Sequence, residues 1–308
     1  MTTSHNHDHG SGGADANRTR LSVALAITVA ILLAEIVGAL LTNSLALLVD
    51  AAHMLTDAGG LGTALLAAHL AAQPANAKRT WGFARAEVLS ATAQAAVLLA
   101  VGLFVLIEGV HRLIAPPSVA SSGLLFFGVI GLVGNACSIA VLAAGRSANF
   151  NLRAAFLEVL NDALGSLAVI VAAVVIALTG WTGADAVAGL LIGALILPRA
   201  FTLLRETVSV LLESTPPGLD LDDVRRHLLE RQGVVEVHDL HASQIASGLP
   251  VLTAHVVVER SLFGDGTLPA LLDDLQSCVA EHFAVSVEHS TFQLEPAGHR
   301  GHEHIDHA

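Results

Sequence analysis

The chain has little charge. Of its 308 residues 14% are Asp, Glu, Lys or Arg and 4% are aromatic, whereas 53% are hydrophobic. A soluble domain carries about 25% charged residues, so an ordinary globular enzyme is excluded. Two cysteines, Cys137 and Cys278, are too few and too far apart for a disulfide framework or a CxxC metal knuckle. No long basic run exists and the formal net charge is −12, which leaves no positive face for phosphates and excludes a nucleic-acid binder. An HExxH motif is also missing, and with it the usual signature of a helical metallohydrolase.

The charge that is present is unevenly placed. Residues 1–212 hold 10 Lys+Arg and 11 Asp+Glu, against 5 and 16 in residues 213–308. A charge-poor front joined to a small acidic domain describes a membrane protein with a soluble appendage. Crossing a bilayer takes about 20 apolar residues in a helix, and six segments qualify: roughly 21–42, 45–72, 86–113, 121–144, 153–179 and 183–204. The breaks between them (42–44, 73–76, 115–117, 145–147 and 179–183) are built from Asn, Ser, Thr, Pro and Gly, which stop or turn helices. The first run is too long for a signal-peptide core and is expected to stay as a membrane helix. One side of this arrangement collects nine basic residues, Arg18, Arg20, Lys78, Arg79, Arg85, Arg146, Arg153, Arg199 and Arg205, and the other has Arg112 alone. The basic side is the cytoplasmic one, so both termini and the acidic domain are expected in the cytoplasm, with compact loops that suit a bacterial plasma membrane.

The acidic domain reads as helix, strand, strand, helix, strand. Asp220–Arg231 spaces Leu221, Val224, Leu228 and Leu229 as a helix does, with aspartates in its first turn. Val234–Leu240 and Val251–Val258 are β-branched runs around a Ser247-Gly248 turn, Leu268–Phe283 is helical, and Val285–Leu294 alternates as a strand. The expected organisation is a polar tail over 1–20, a six-helix domain over 21–212, an α+β domain over 213–296 and a His-rich tail over 297–308. The two tails hold seven of the 16 histidines; such clusters can capture metal weakly, and an unstructured polar tail explains them equally well.

Ionisable groups inside apolar helices are expensive and mark function by default. The second segment carries Asp50, His53 and Asp57, and the fifth carries Glu158 and Asp162 with Asn161 beside them. His53 and Asp57 are four apart, as are Glu158 and Asp162, so each pair stacks on one helix face. One imidazole and three carboxylates meeting in a dry site suit a tetrahedral divalent cation, zinc first. Glu35, Asn135 and Gln94 are expected to be interhelical hydrogen-bonding groups rather than ligands.

The run Ser44–Asp57, preceded by Glu35-Ile36-Val37-Gly38, resembles the second-helix signature of the cation diffusion facilitators. Asn151–Leu157 resembles the opening of their fifth helix, and Val237–His241 and Ala254-His255-Val256 resemble their cytoplasmic domain. The resemblance implies a homodimeric six-helix exporter of zinc or a related metal, driven by proton exchange, with a ferredoxin-like metal-binding domain. It assigns the transport ligands to His53, Asp57, Glu158 and Asp162, with Glu158 where zinc members usually have His; Asp50 and Asn161, beside them on the same helices, are second choices. It assigns a second site to His238, His255 and His289, with Asp239 and His241 as second choices. The connection 73–85 resembles a loop that binds metal through His in some relatives, but it has no His here; its basic residues are expected to meet lipid headgroups. A membrane metal sensor without transport is the alternative.

Overall fold

The structure is a computed structural model that describes residues 11–71, 73–143 and 150–299. Six long helices come first: α1 (Ser11–Thr42), α2 (Leu45–Ala71), α3 (Ala86–Ile114), α4 (Ser121–Ala143), α5 (Phe150–Thr179) and α6 (Gly183–Leu211). Five stretches of described helix are long and apolar enough to cross a membrane, one in each of α1, α3, α4, α5 and α6; α2, 27 residues long, is the helix that carries Asp50, His53 and Asp57. Outward-facing Leu33, Leu40, Ile107, Leu178 and Leu195 are more than half exposed, as expected of side chains whose solvent is lipid.

Two helices outrun their expected ends. α1 starts at Ser11, ten residues inside the expected tail, because no proline interrupts 11–20 and Ala and Arg are strong helix formers. α6 continues to Leu211; Leu204, Val208 and Leu211 sustain its apolar spacing. The expected break at 145–147 and the tail histidines other than His299 lie outside the described residues.

The described residues pack as two units, 11–62 with 94–202 and 63–93 with 203–299. Helix segments 63–71, 86–93 and 203–211 pack with the C-terminal sheet, and within that unit Arg85 pairs with Glu213 at 2.7 Å. Being exposed, this pair adds about 0–1 kcal/mol.

In the first unit glycines let helices approach closely, as membrane bundles require. A Cβ at Gly38 would sit 2.6 Å from the Phe127 ring, one at Gly134 2.6 Å from Ile31, and one at Gly102 2.4 Å from Leu197. The start of α2 is fixed by a residue that the sequence does not single out. Asp185, in the first turn of α6, is buried and accepts from the Ser44 hydroxyl, from Leu45 N–H at 2.6 Å and from Ala46 N–H at 3.3 Å. Ser44 Oγ in turn accepts from Leu47 N–H at 3.1 Å. A helix start buried without such partners leaves donors unsatisfied, at about 1–3 kcal/mol each. Asp185→Ala is therefore expected to lower the melting temperature of the detergent-solubilised protein by several degrees; an unchanged melting curve would show that water or backbone replaces the cap.

The second unit has its own core. Helix α7 (Leu221–Leu229) is capped by Asp220, whose side chain accepts from the N–H groups of Asp222 and Asp223. Strands β1 (Val234–Ala246) and β2 (Leu249–Val258) pair antiparallel, a single turn α8 (Leu262–Asp265) and helix α9 (Leu268–Glu281) follow, and β3 (His289–Pro296) pairs parallel to β2, giving the order β1-β2-β3. α7 and α9 share one core with the sheet, centred on Val224, Leu228, Val256, Leu275 and Val279; each such side chain contributes about 1.5–3 kcal/mol. The third strand starts four residues later than its alternation suggests, because Val287 folds back with its N–H on the Val279 carbonyl and its side chain in the core. β1 overruns its expected end by six residues and carries a bulge after His238, where Asp239 adopts φ 47°. The bulge shifts the alternation so that Val237 and Leu240, three positions apart, both face the core.

Candidate metal centres

The bundle brings α2 and α5 together at their charged turns. Ligand atoms of His53, Asp57 and Glu158 all lie within 4.8 Å of one another. His53 Nε2 stands 3.3 Å from Asp57 Oδ2, as the spacing of four residues dictates. The Asp57 and Glu158 carboxyls stand against each other in this cluster and interact directly. Asp162, one turn beyond Glu158, is 4% exposed; its Oδ1 has no hydrogen-bond partner, and it lies within electrostatic range of Asp50, Asp57 and Glu158. His53 Nδ1 is likewise buried without a partner. A histidine nitrogen and carboxylate oxygens converging in an apolar bundle form a donor set for a divalent cation. Arg199 of α6 approaches Glu158 at 3.6 Å, a neighbour that the sequence reading did not connect to the site.

Two second choices fall away. Asn161 is exposed and points off the face that carries Asp162, one helix position being a rotation of about 100°. Asp50 and Asp162 both lie outside the three-residue ligand cluster; Asp162 acts electrostatically on Asp57 and Glu158, whereas Asp50 interacts with the Glu35 carboxyl of α1. The expected interhelical groups do bridge helices: Gln94 Nε2 donates to the Thr56 carbonyl at 3.2 Å, and Asn135 Nδ2 donates to Ser166 Oγ at 3.3 Å. Gln94 thereby ties α3 to the backbone of α2 between His53 and Asp57.

The second cluster lies on the sheet. His238 and His255 are paired in register on β1 and β2, with ring centroids 5.2 Å apart. The third member is Glu295 of β3, 2% exposed, with Oε1 2.6 Å from His238 Nε2 and Oε2 4.0 Å from His255 Nδ1. Ligand atoms of these three also lie within 4.8 Å of one another. His289, expected as the third ligand, is not there. It stands four rungs before Gln293, the residue opposite His255, about 13 Å along the strand, and it packs edge-on against Trp81 at 4.8 Å. At the rim, Asp239 contacts His241 at 2.8 Å and His255 at 3.8 Å. His299, counted in the expected tail, reaches Glu295 at 3.8 Å.

Six long helices, a carboxylate-rich ligand cluster between two of them and a small α+β domain are the architecture that the resemblance implies. The sequence profile of the cation efflux transmembrane domain matches residues 21–212, all of the helical part. The chain belongs to the cation efflux family. Among curated members of this family it is 41% identical over 266 residues to the metal cation efflux system protein CzcD of Cupriavidus metallidurans, covering 86% of this chain and 83% of that one. It is 36% identical over 270 residues to the cadmium, cobalt and zinc/H(+)-K(+) antiporter of Bacillus subtilis, 87% and 86% covered, and 38% identical over 266 residues to the zinc transporter ZitB of Escherichia coli, 86% and 83% covered. Membership makes this a multi-pass membrane transport protein of the cation diffusion facilitators.

Proposed function

We propose that the protein exports a divalent transition metal, zinc first, in exchange for protons, with His53, Asp57, Glu158 and Asp162 as ligands of the cargo. The observation that carries this reading is the convergence of His53, Asp57 and Glu158, from two helices of an apolar bundle, within 4.8 Å. Relatives named for zinc, and for cadmium, cobalt and zinc with H(+) and K(+), support the metal class and the exchange. The close approach of the Asp57 and Glu158 carboxyls supports a proton as counter-ion, because a metal entering between them displaces the protons its ligands hold. Alternating access to one such site would then move metal out and protons in. Glu158 replaces a borderline nitrogen donor by a harder oxygen, which extends the reading to cobalt, cadmium, iron or manganese as cargo.

The rest of the reading has separate supports. His238, His255 and Glu295 would hold regulatory metal in a cytoplasmic domain; the basic residues gathered on one side support a plasma-membrane protein with both termini in the cytoplasm. A homodimer is supported by the acidic balance of residues 213–308, whose two copies repel until cations neutralise them.

The test is metal flux into proteoliposomes under an imposed pH gradient, with zinc, cobalt, cadmium, manganese and iron in turn. Gradient-dependent flux supports the exporter; metal binding without flux of any metal would make the protein a sensor. In the same vesicles Glu158→His is expected to raise protons moved per metal and to shift preference toward zinc. An unchanged count and preference would show that the side chain at 158 decides neither.

A further inference from the structure

The cluster of His53, Asp57 and Glu158 has a cation of its own beside it. Arg199 of α6 places Nη1 3.6 Å from Glu158 Oε1, on one of the three residues whose ligand atoms converge. It also acts electrostatically on His53, Asp57 and Asp162. A guanidinium stays protonated at any physiological pH, so this positive charge cannot be discharged by losing a proton. Only movement takes it away from the ligands.

The surroundings allow that movement. The Arg199 side chain is 63% exposed and that of Glu158 36%, whereas Asp162 is 4% exposed. A pair this open parts without uncovering a core and holds weakly. Arg199 also follows Pro198 directly, and Pro198 stands inside α6. Proline has no N–H for the carbonyl one turn back, that of Ala194, so the helix is loosened where Arg199 begins.

A divalent metal and this guanidinium oppose each other. Both draw on the Glu158 carboxylate, and a metal held among ligands beside Arg199 is repelled by it. While Arg199 stays, it weakens cargo binding without being a ligand.

We propose that Arg199 is a tethered competitor of the cargo: it occupies Glu158 in the empty transporter, yields it when metal binds and takes it back as metal leaves. The inference rests on the reading of His53, Asp57, Glu158 and Asp162 as cargo ligands, and adds the residue that sets how tightly they hold. A carrier that must give up its cargo once per cycle needs such a limit on affinity, and an internal cation supplies it at the moment of release.

The experiment measures zinc transport into proteoliposomes under a fixed pH gradient over a range of zinc concentrations. Arg199→Ala is expected to lower the half-saturating zinc concentration about fivefold, the scale of one exposed ion pair, and to lower the maximal rate because release is slower. Arg199→Lys keeps the charge and should keep both values near those of the wild type. In a Glu158→Gln background, which leaves no carboxylate for the guanidinium to pair with, Arg199→Ala should change the half-saturating concentration far less. A merely structural role would lower the melting temperature and the maximal rate with no gain in affinity. An unchanged or raised half-saturating concentration in Arg199→Ala, or the same fivefold fall in the Glu158→Gln background, would overturn the proposal. Absence of wild-type flux would sink the exporter reading alone; equilibrium zinc binding to the full-length protein in detergent then makes the same comparisons, and does so for any variant that gives no flux. Asp57-dependent binding that Arg199→Ala tightens sustains the competitor. Binding that Arg199→Ala leaves unchanged, or no Asp57-dependent binding, removes it.

Discussion

Asp57→Ala is expected to reduce metal flux in proteoliposomes to the level of empty vesicles, and His53→Ala to do nearly the same. Four-ligand zinc sites bind with about 10–16 kcal/mol, so each ligand accounts for roughly 3 kcal/mol, about a hundredfold in affinity. Asp57 carries more than an average share. It stands 3.3 Å from His53 Nε2, has a ligand oxygen within 4.8 Å of that of Glu158 and interacts electrostatically with Asp162. Its loss would leave three dispersed groups instead of a cluster. Asn161→Ala is the matched control: it lies on the same turn of α5 as Glu158 and Asp162 but is exposed, and its flux should be that of the wild type. Flux retained in Asp57→Ala with unchanged metal affinity would dissociate the cluster from transport altogether.

The helices and the first cluster were legible because both are local patterns. Apolar runs of membrane length announce themselves, and pairs four residues apart in α2 and α5 must share a face whatever the rest of the chain does. What the sequence concealed depends on contacts between distant segments. Glu295 lies near the end of a strand whose residues are mostly exposed or half-buried, and only parallel pairing of β3 with β2 carries its carboxylate to His238 and His255. His289 failed for the same reason in reverse: a histidine on the right strand sits four rungs from the right register. Asp185 resembles an ordinary acidic residue in a first helical turn, while its hydrogen bonds go to the start of another helix 140 residues away. The pairing of Glu35 with Asp50 likewise joins two helices whose relative rotation no periodicity specifies.

Removing Glu295 is expected to have the second large effect, on the C-terminal unit rather than on the bundle. Its carboxylate, 2% exposed, is approached by His238, His255 and His299. If a metal binds there, zinc should raise the melting temperature of the wild type by an amount that grows with concentration, about 2.7 kcal/mol at a hundredfold excess over Kd. In Glu295→Ala that response should vanish, since two imidazoles alone make a weak site. His289→Ala should respond as the wild type does, because His289 lies four rungs away against Trp81. The chelated proteins separate metal binding from simple packing. Without metal, Glu295→Ala still loses the 2.6 Å contact with His238, but it also relieves a buried carboxylate, so its melting temperature should change far less than its zinc response. A zinc response surviving in Glu295→Ala and lost in His289→Ala would return the site to the register that the sequence alone suggests.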